Sequence, residues 1–318
     1  MKPILALSTC WCSPRYTDGY AMLRDIAELG FEYAELSHGI RITLVPGILQ
    51  AVSEGVIKIS SVHNFCPLPA GVIQAAPNLF QPSAVDGREL SQWVRHTKRS
   101  VDFAEQVGAG LLVLHLGSVQ FLWMNPGAKI RGYVDGHRGF DPAADPKYQA
   151  ILTKARGRLK ERMAPYWEQT QKSIRGLIEY AAPKGVRLGV ENREKFEELP
   201  RDEDYVDYVA ALPPGSPAGF WHDTGHAQIK QDEGLLEHRA LLEKVAPRLF
   251  GFHLHDVNAE GDDHQPIGSG RIDFDMVSSF WRGGQRLVLE LSPRCSPEDV
   301  TISRDRLVAL IDRRFSAA

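Results

Sequence analysis

Glu191, Asp223, His253 and Glu290 together supply three carboxylates and one imidazole, a donor set suited to a divalent ion such as Mn²⁺, Mg²⁺, Co²⁺ or Zn²⁺. Each closes a short apolar run: Val190-Glu191, His222-Asp223, Phe252-His253 and Leu289-Glu290. Two further runs end the same way, in Val62-His63 and Leu114-His115. A single charged residue after an apolar run is ordinarily a solvated loop residue. Six such endings, spread over more than two hundred positions, call for a fold that gathers them.

Side chains near these endings widen the inventory. Asp223-Thr224-Gly225-His226 puts an imidazole three residues after the aspartate, where it can join an ion or hydrogen-bond a bound hydroxyl. In His253-Leu254-His255-Asp256, alternate residues of a strand share a face, so both histidines qualify to look inward, one as a ligand and the other as a ligand's partner. Asp262-Asp263-His264 offers a further carboxylate and imidazole. His63 and His115 read singly as packed or outer histidines, and together as candidate ligands of a second ion.

The elements that position these residues are legible as an alternation. Short segments rich in β-branched residues recur between stretches of helical period, the mark of repeated βα units. Eight strands are expected: Ile4 to Ser8, Tyr33 to Ser37, Lys58 to His63, Leu111 to Leu116, Arg187 to Glu191, Gly219 to Asp223, Phe250 to His255 and Arg286 to Leu291. Helices are expected over Asp18 to Leu29, Glu89 to Val107 and Tyr166 to Ala182, each followed closely by glycine. The run Lys154 to Arg162 reads as the solvated start of a helix, and Pro213-Pro214-Gly215 as a tight connection. The fold expected is α/β: one (β/α)8 TIM barrel over residues 1–318, with its active site at the C-terminal strand ends. Long rim loops fall at about 64–88 and 118–147. The second contains Trp123, Arg131, Tyr133, His137 and Arg138, and reads as a substrate lid or an oligomer contact.

Composition narrows the partners. A formal charge of −3 and a pI near 6.4 give no general attraction to phosphate backbones or anionic membranes, which counts against nucleic acid as a partner. No apolar run suits a membrane span, and Met1 to Ala6 is too short for a secretory segment, so a cytoplasmic protein is expected. Cys10, Cys12, Cys66 and Cys295 have neither zinc-ribbon spacing nor disulfide-scaffold density and read as reduced thiols.

Val190-Glu191-Asn192-Arg193, Asp223-Thr224-Gly225-His226, His253-Leu254-His255-Asp256, Pro266-Ile267-Gly268-Ser269-Gly270 with Ile272-Asp273-Phe274, and Leu289-Glu290 resemble the xylose-isomerase-like TIM-barrel superfamily over nearly the whole chain. That group contains sugar isomerases and epimerases, inosose dehydratase-type enzymes and the endonuclease IV class. Its ketose 3-epimerases imply a single ion on Glu191, Asp223, His253 and Glu290, with Glu191 and Glu290 as the acid/base pair. They also imply substrate contacts from Glu197 and His226. Its endonuclease IV members imply a multinuclear zinc site, on which His63, His115, His226, Asp262 and His264 join those four.

Two activities follow. The first is a metal-dependent isomerase or epimerase of a small carbohydrate or polyol, in which carboxylates move a proton next to a metal-bound carbonyl. His63, His115, Glu197, His226 and Trp123 would contact substrate, and Trp11, Phe65 and Trp221 are further aromatic candidates for a sugar face. The alternative is a multinuclear-zinc phosphoesterase or apurinic-site endonuclease. A non-catalytic binding barrel ranks third.

Overall fold

The computed structural model describes residues 1–210, 212 and 215–315. Eight parallel strands close into one barrel: β1 (Ile4–Ser8), β2 (Tyr33–Leu36), β3 (Lys58–His63), β4 (Leu111–Leu114), β5 (Arg187–Glu191), β6 (Ala218–Asp223), β7 (Leu249–Leu254) and β8 (Arg286–Leu289), with β8 returning to β1. Around it run α1 (Gly19–Glu28), α2 (Val45–Ser53), α3 (Gly87–Gln106), α4 (Pro126–Gly136), α5 (Pro146–Ala181), α6 (Asp204–Ala210), α7 (Thr224–Asp232), α8 (His238–Val245), α9 (Phe274–Ser278) and α10 (Pro297–Phe315). The expected (β/α)8 barrel is the observed fold. Of Pro213-Pro214-Gly215, the two prolines lie outside the described residues. Among the described residues no helix is long and apolar enough to cross a membrane.

Local signals explain most boundaries. Asp18 caps α1 by accepting from the Tyr20 and Ala21 N–H groups, and Asp86 does the same for α3. Gly30 (φ 86°) and Gly108 (φ 69°) turn the chain out of these helices in the left-handed conformation. The expected helix from Tyr166 begins twenty residues earlier: α5 has 36 residues, starts behind the Asp145 cap with Pro146, and contains Pro165. An interior proline costs a helix about 3 kcal/mol. Here an apolar seam, Tyr148, Leu152, Leu159, Tyr166, Ile174 and Leu177, runs through it and stays buried. The basic run Lys154 to Arg162 therefore lies mid-helix. The expected 118–147 loop likewise encloses α4, whose Ile130 and Tyr133 pack on Tyr148 and Leu152. Tyr133 is thus a packing residue of that helix pair.

Strand alternation sorts the barrel interior into layers. Low in the barrel, Ala6, Leu111, Val113, Trp221 and Val288 form an apolar plug. Trp221 fills it because Gly251 faces it: a side-chain carbon there would meet Trp221 Cζ3 at 2.4 Å. One inward position further along each strand the layer turns polar, with Ser8, Glu35, His63, Glu191, Asp223 and His253 all buried. His115 and Glu290 directly follow β4 and β8. The opposite parity forms the larger core between sheet and helices, including Val62, Phe220 and Phe252, and Phe65 joins it from just past β3. Phe65 and Trp221 are therefore packing residues, and Trp11 is 5% exposed with its indole N–H on the Cys295 carbonyl.

Candidate active site

Glu191, Asp223, His253 and Glu290 meet over the apolar plug, each contributing a ligand-type atom within 4.8 Å of the others. Parallel register makes this possible, since Glu191 lies beside Trp221 and Asp223 beside His253, so the strands deliver their inward residues at one height. His253 Nδ1 lies 2.7 Å from Glu191 Oε1 and 3.0 Å from Glu290 Oε2, with Asp223 Oδ2 at 3.9 Å. Three carboxylates and an imidazole at this spacing match the donor chemistry of a divalent cation, and the residues present fit such a group.

The second oxygen of Glu191 faces the opposite wall. His115 Nε2 lies 2.8 Å and His63 Nε2 3.2 Å from Glu191 Oε2, and Arg193 Nη1 approaches it at 3.5 Å. His63, Glu191 and His253 form a second grouping able to hold an ion. Burial pushes the Glu191 carboxyl up, but His253 and hydrogen bonds from His115, His253 and His63 outweigh it and hold it well below its ordinary value. Burial, reinforced by Arg193, pushes His115 down to about 3. His253 is driven down by burial, yet Glu290, Glu35 and Glu191 raise it well above the usual range. Such displaced ionisations in one cleft make it the candidate functional site.

Asp223 caps α7 by accepting from the His226 N–H at 2.7 Å, while Asn192 braces its backbone through both amide atoms. The two candidate histidines of β7 separate cleanly. His255 Nδ1 accepts the His264 N–H, so its Nε2 donates to Asp223 Oδ2 at 3.0 Å. His253 is thus the inward donor, and His255 holds an aspartate that is itself in the group. Asp256, next in sequence, accepts from the backbone N–H groups of Val257, Gly268, Gly270 and Ile272, tying the loop after β7 to its strand.

Three of the expected residues stand apart from this group. Asp262 is exposed and bonds Asn258; Asp263 instead pairs with His264 at 2.9 Å and groups with Glu194 and His226. Loop closure between Asn258 and Asp262 ties the first aspartate to its own turn at the edge of the cleft and leaves the second facing the rim. Glu197 accepts from Asn125 at 2.6 Å, in the connection ahead of α4, whereas its neighbour Glu198 is buried against Arg193 at 3.3 Å. Ser118 pairs with Glu198 as extended chain, so the two glutamates point to opposite sides. Trp123 is 82% exposed, because Arg158 clamps the Trp123 and Met124 carbonyls and turns the loop tip to solvent.

Glu35, His38, Glu194 and Glu198 were not singled out from the sequence, and Arg193 and Asp263 only as members of longer motifs. Glu35 was detectable as the lone charge in an apolar strand, with inward parity. The others lie in connections, where no periodicity reports direction. A cleft of about 960 Å³ opens over the β1, β2, β7 and β8 ends, lined by Cys10, His38, Arg41, Asp263, His264, Glu290 and Arg294 among others. It reaches the site through Glu290.

A sequence profile described as xylose isomerase-like TIM barrel matches residues 23–282. No curated protein matches the chain by sequence. Among solved structures, a D-tagatose 3-epimerase-like protein superposes with a TM-score of 0.69 at 18% identity, covering 100% of both chains. L-ribulose 3-epimerase gives 0.68 at 12% identity, over 100% of this chain and 97% of that one. A 3-keto-D-glucoside 4-epimerase from E. coli gives 0.64 at 14% identity, over 97% and 99%. With the profile matched over most of its length and the closed barrel built as described, the chain belongs to the xylose isomerase-like TIM barrel family.

Proposed function

We propose that the protein is a metal-dependent sugar isomerase or epimerase acting on a small carbohydrate or sugar-like polyol. The observation that carries this reading is the placement of Glu191 and Glu290, two buried carboxylates from well-separated strands, on one imidazole nitrogen at 2.7 and 3.0 Å. Carboxylates on opposite sides of a bound carbon can remove a proton from one face and return one to the other. A divalent ion held by Glu191, Asp223, His253 and Glu290 would acidify a C–H next to a carbonyl by drawing charge from its oxygen. His115 and His63 hold Glu191 in its orientation. His226 faces the rim beside Arg193, and Glu197 and Trp123 are the proposed substrate contacts from the connections after β5 and β4. The resemblance to solved sugar epimerases supports the carbohydrate class.

The test is proton exchange. The metal-supplemented protein, incubated in D₂O with a panel of ketoses, inososes and keto-glycosides, should incorporate deuterium at a carbon beside a carbonyl. No incorporation across the panel refutes the reading.

A second reading, a multinuclear phosphoesterase, is favoured by one observation: His63 and His115 both lie within 3.2 Å of Glu191 Oε2, and histidines beside that carboxylate could help hold a second ion that would supply hydroxide. Metal stoichiometry separates the two. One ion per chain supports the isomerase, and two or three support the hydrolase.

A further inference from the structure

Glu35 places a carboxylate inside the barrel, 0% exposed, yet it belongs to none of the groups among the described residues that are able to hold an ion. Its register explains its direction: it lies beside Ser8 of β1 and Ser61 of β3 and points inward just under the rim. Ser8 Oγ donates to Oε1 at 3.1 Å and Ser61 Oγ to Oε2 at 2.8 Å. From across the barrel, His253 Nε2 faces the same two oxygens at 3.1 and 3.3 Å. The imidazole is therefore gripped at both ends, Nε2 on Glu35 and Nδ1 on Glu191 and Glu290.

An ionised carboxylate can only accept hydrogen bonds. It draws the single N–H of a neutral imidazole to Nε2 and leaves the Nδ1 lone pair aimed at the rim carboxylates. The two serine hydroxyls, one on each oxygen, tether the carboxylate beside the ring. We propose that Glu35 is a positioning residue, which fixes the tautomer and ring orientation of His253 so that Nδ1 is the atom offered to a divalent cation. This rests on the metal-site reading above. Outer carboxylates on ligand histidines typically change metal affinity by about 10–100-fold.

Two measurements on the full chain test it. Calorimetric titration with Mn²⁺ and Zn²⁺ should give a dissociation constant about 10–100-fold weaker for Glu35→Gln than for wild type. ¹⁵N NMR of zinc-loaded wild type should find His253 protonated at Nε2, and Glu35→Gln should lose that uniform state. A purely structural Glu35 would shift the melting temperature and leave the tautomer alone. Wild-type affinity in Glu35→Gln, or an Nδ1–H tautomer in the loaded wild type, overturns the inference while the metal site stands. If the wild type takes up neither ion, the metal reading fails and the inference falls with it.

Discussion

His222 and Asp223 are adjacent on β6, and their side chains enter two different worlds. Asp223 points into the barrel among carboxylates and imidazoles. His222 points out into the helical shell, where its Nε2 lies 2.8 Å from Nε2 of His238 on α8. Both rings of this outer pair are buried, and neither Nδ1 has a hydrogen-bond partner among the described residues. Burial, then the neighbouring His238, drives His222 well below its ordinary value, and burial holds His238 at about 4. At the rim the same side chain meets the opposite fate, since the carboxylates around His253 raise it. An imidazole's role here follows its company: among acids it becomes part of a charged site, and among phenylalanines it is a neutral packing piece.

That contrast can be broken or sharpened by experiment. The largest effect should come from Glu191→Gln, which leaves the fold intact but lowers proton exchange by about 10²–10⁴-fold, the usual worth of a positioned acid or base. An exchange assay with circular dichroism checks both halves, and near-normal turnover would remove Glu191 from the chemistry. Stripping the protein with a chelator should lower exchange by a comparable factor, and adding back Mn²⁺, Co²⁺ or Zn²⁺ should restore it. Ion at a hundred times its dissociation constant should also stabilise the fold by about 2.7 kcal/mol. A calorimetric melt that ignores metal would contradict the rim reading.

The outer pair should answer to pH instead. His238 is held at about 4 in the folded chain against an ordinary 6.5, so the unfolded chain binds the extra proton first. This contribution to stability is complete above about pH 6.5 and is lost as pH falls toward 4, on the order of 2 kcal/mol by pH 5. Thermal melts of wild type and His238→Gln across pH 5–7 should show the steeper loss in wild type, and parallel slopes would sink the assignment. The smallest effect belongs to Trp123→Ala. With its side chain in solvent, stability should change by less than about 0.5 kcal/mol. A larger loss on chemical denaturation would place that ring against the protein in solution.

The reason so much of the rim was legible is physical. An apolar strand buried on both faces writes a continuous hydrophobic run, and a charged residue that ends it with inward parity has only the barrel mouth to enter. Glu191 and Asp223 satisfy both conditions, as do His115 and Glu290 one step past their strands, while His253 sits one residue inside β7 and is marked by His255 two positions on. Glu35 holds the same place in β2, before Leu36, but has Ser37 where β7 has His255, so no such neighbour flags it. Connections gave no comparable guide. Asp262 and Asp263 differ in role because of one turn, Glu197 and Glu198 because of one antiparallel bridge, and neither leaves a period in the sequence. Pro165 concealed the length of α5 for a related reason: the packing that overrides the proline is tertiary.

The four backbone hydrogens that converge on Asp256 have a consequence for how the cleft can change. They bolt the loop bearing Asp263 and His264 to the strand that carries His253, and a side-chain carbon on Gly270 would meet the Val257 carbonyl oxygen at 2.1 Å. One wall of the cleft is therefore an anvil, set at a fixed distance from the reactive groups. The other, made by the connections after β1, β2 and β3, is tied lower down, where the Ser37 N–H donates to Thr9 Oγ1 and the Leu68 N–H to the Ile40 carbonyl, and leaves Ile73 standing 76% exposed at its lip. Natural drift or laboratory redesign toward a longer or shorter substrate has its freedom on that second wall, and changes at 256 or 270 would spend stability without moving the floor.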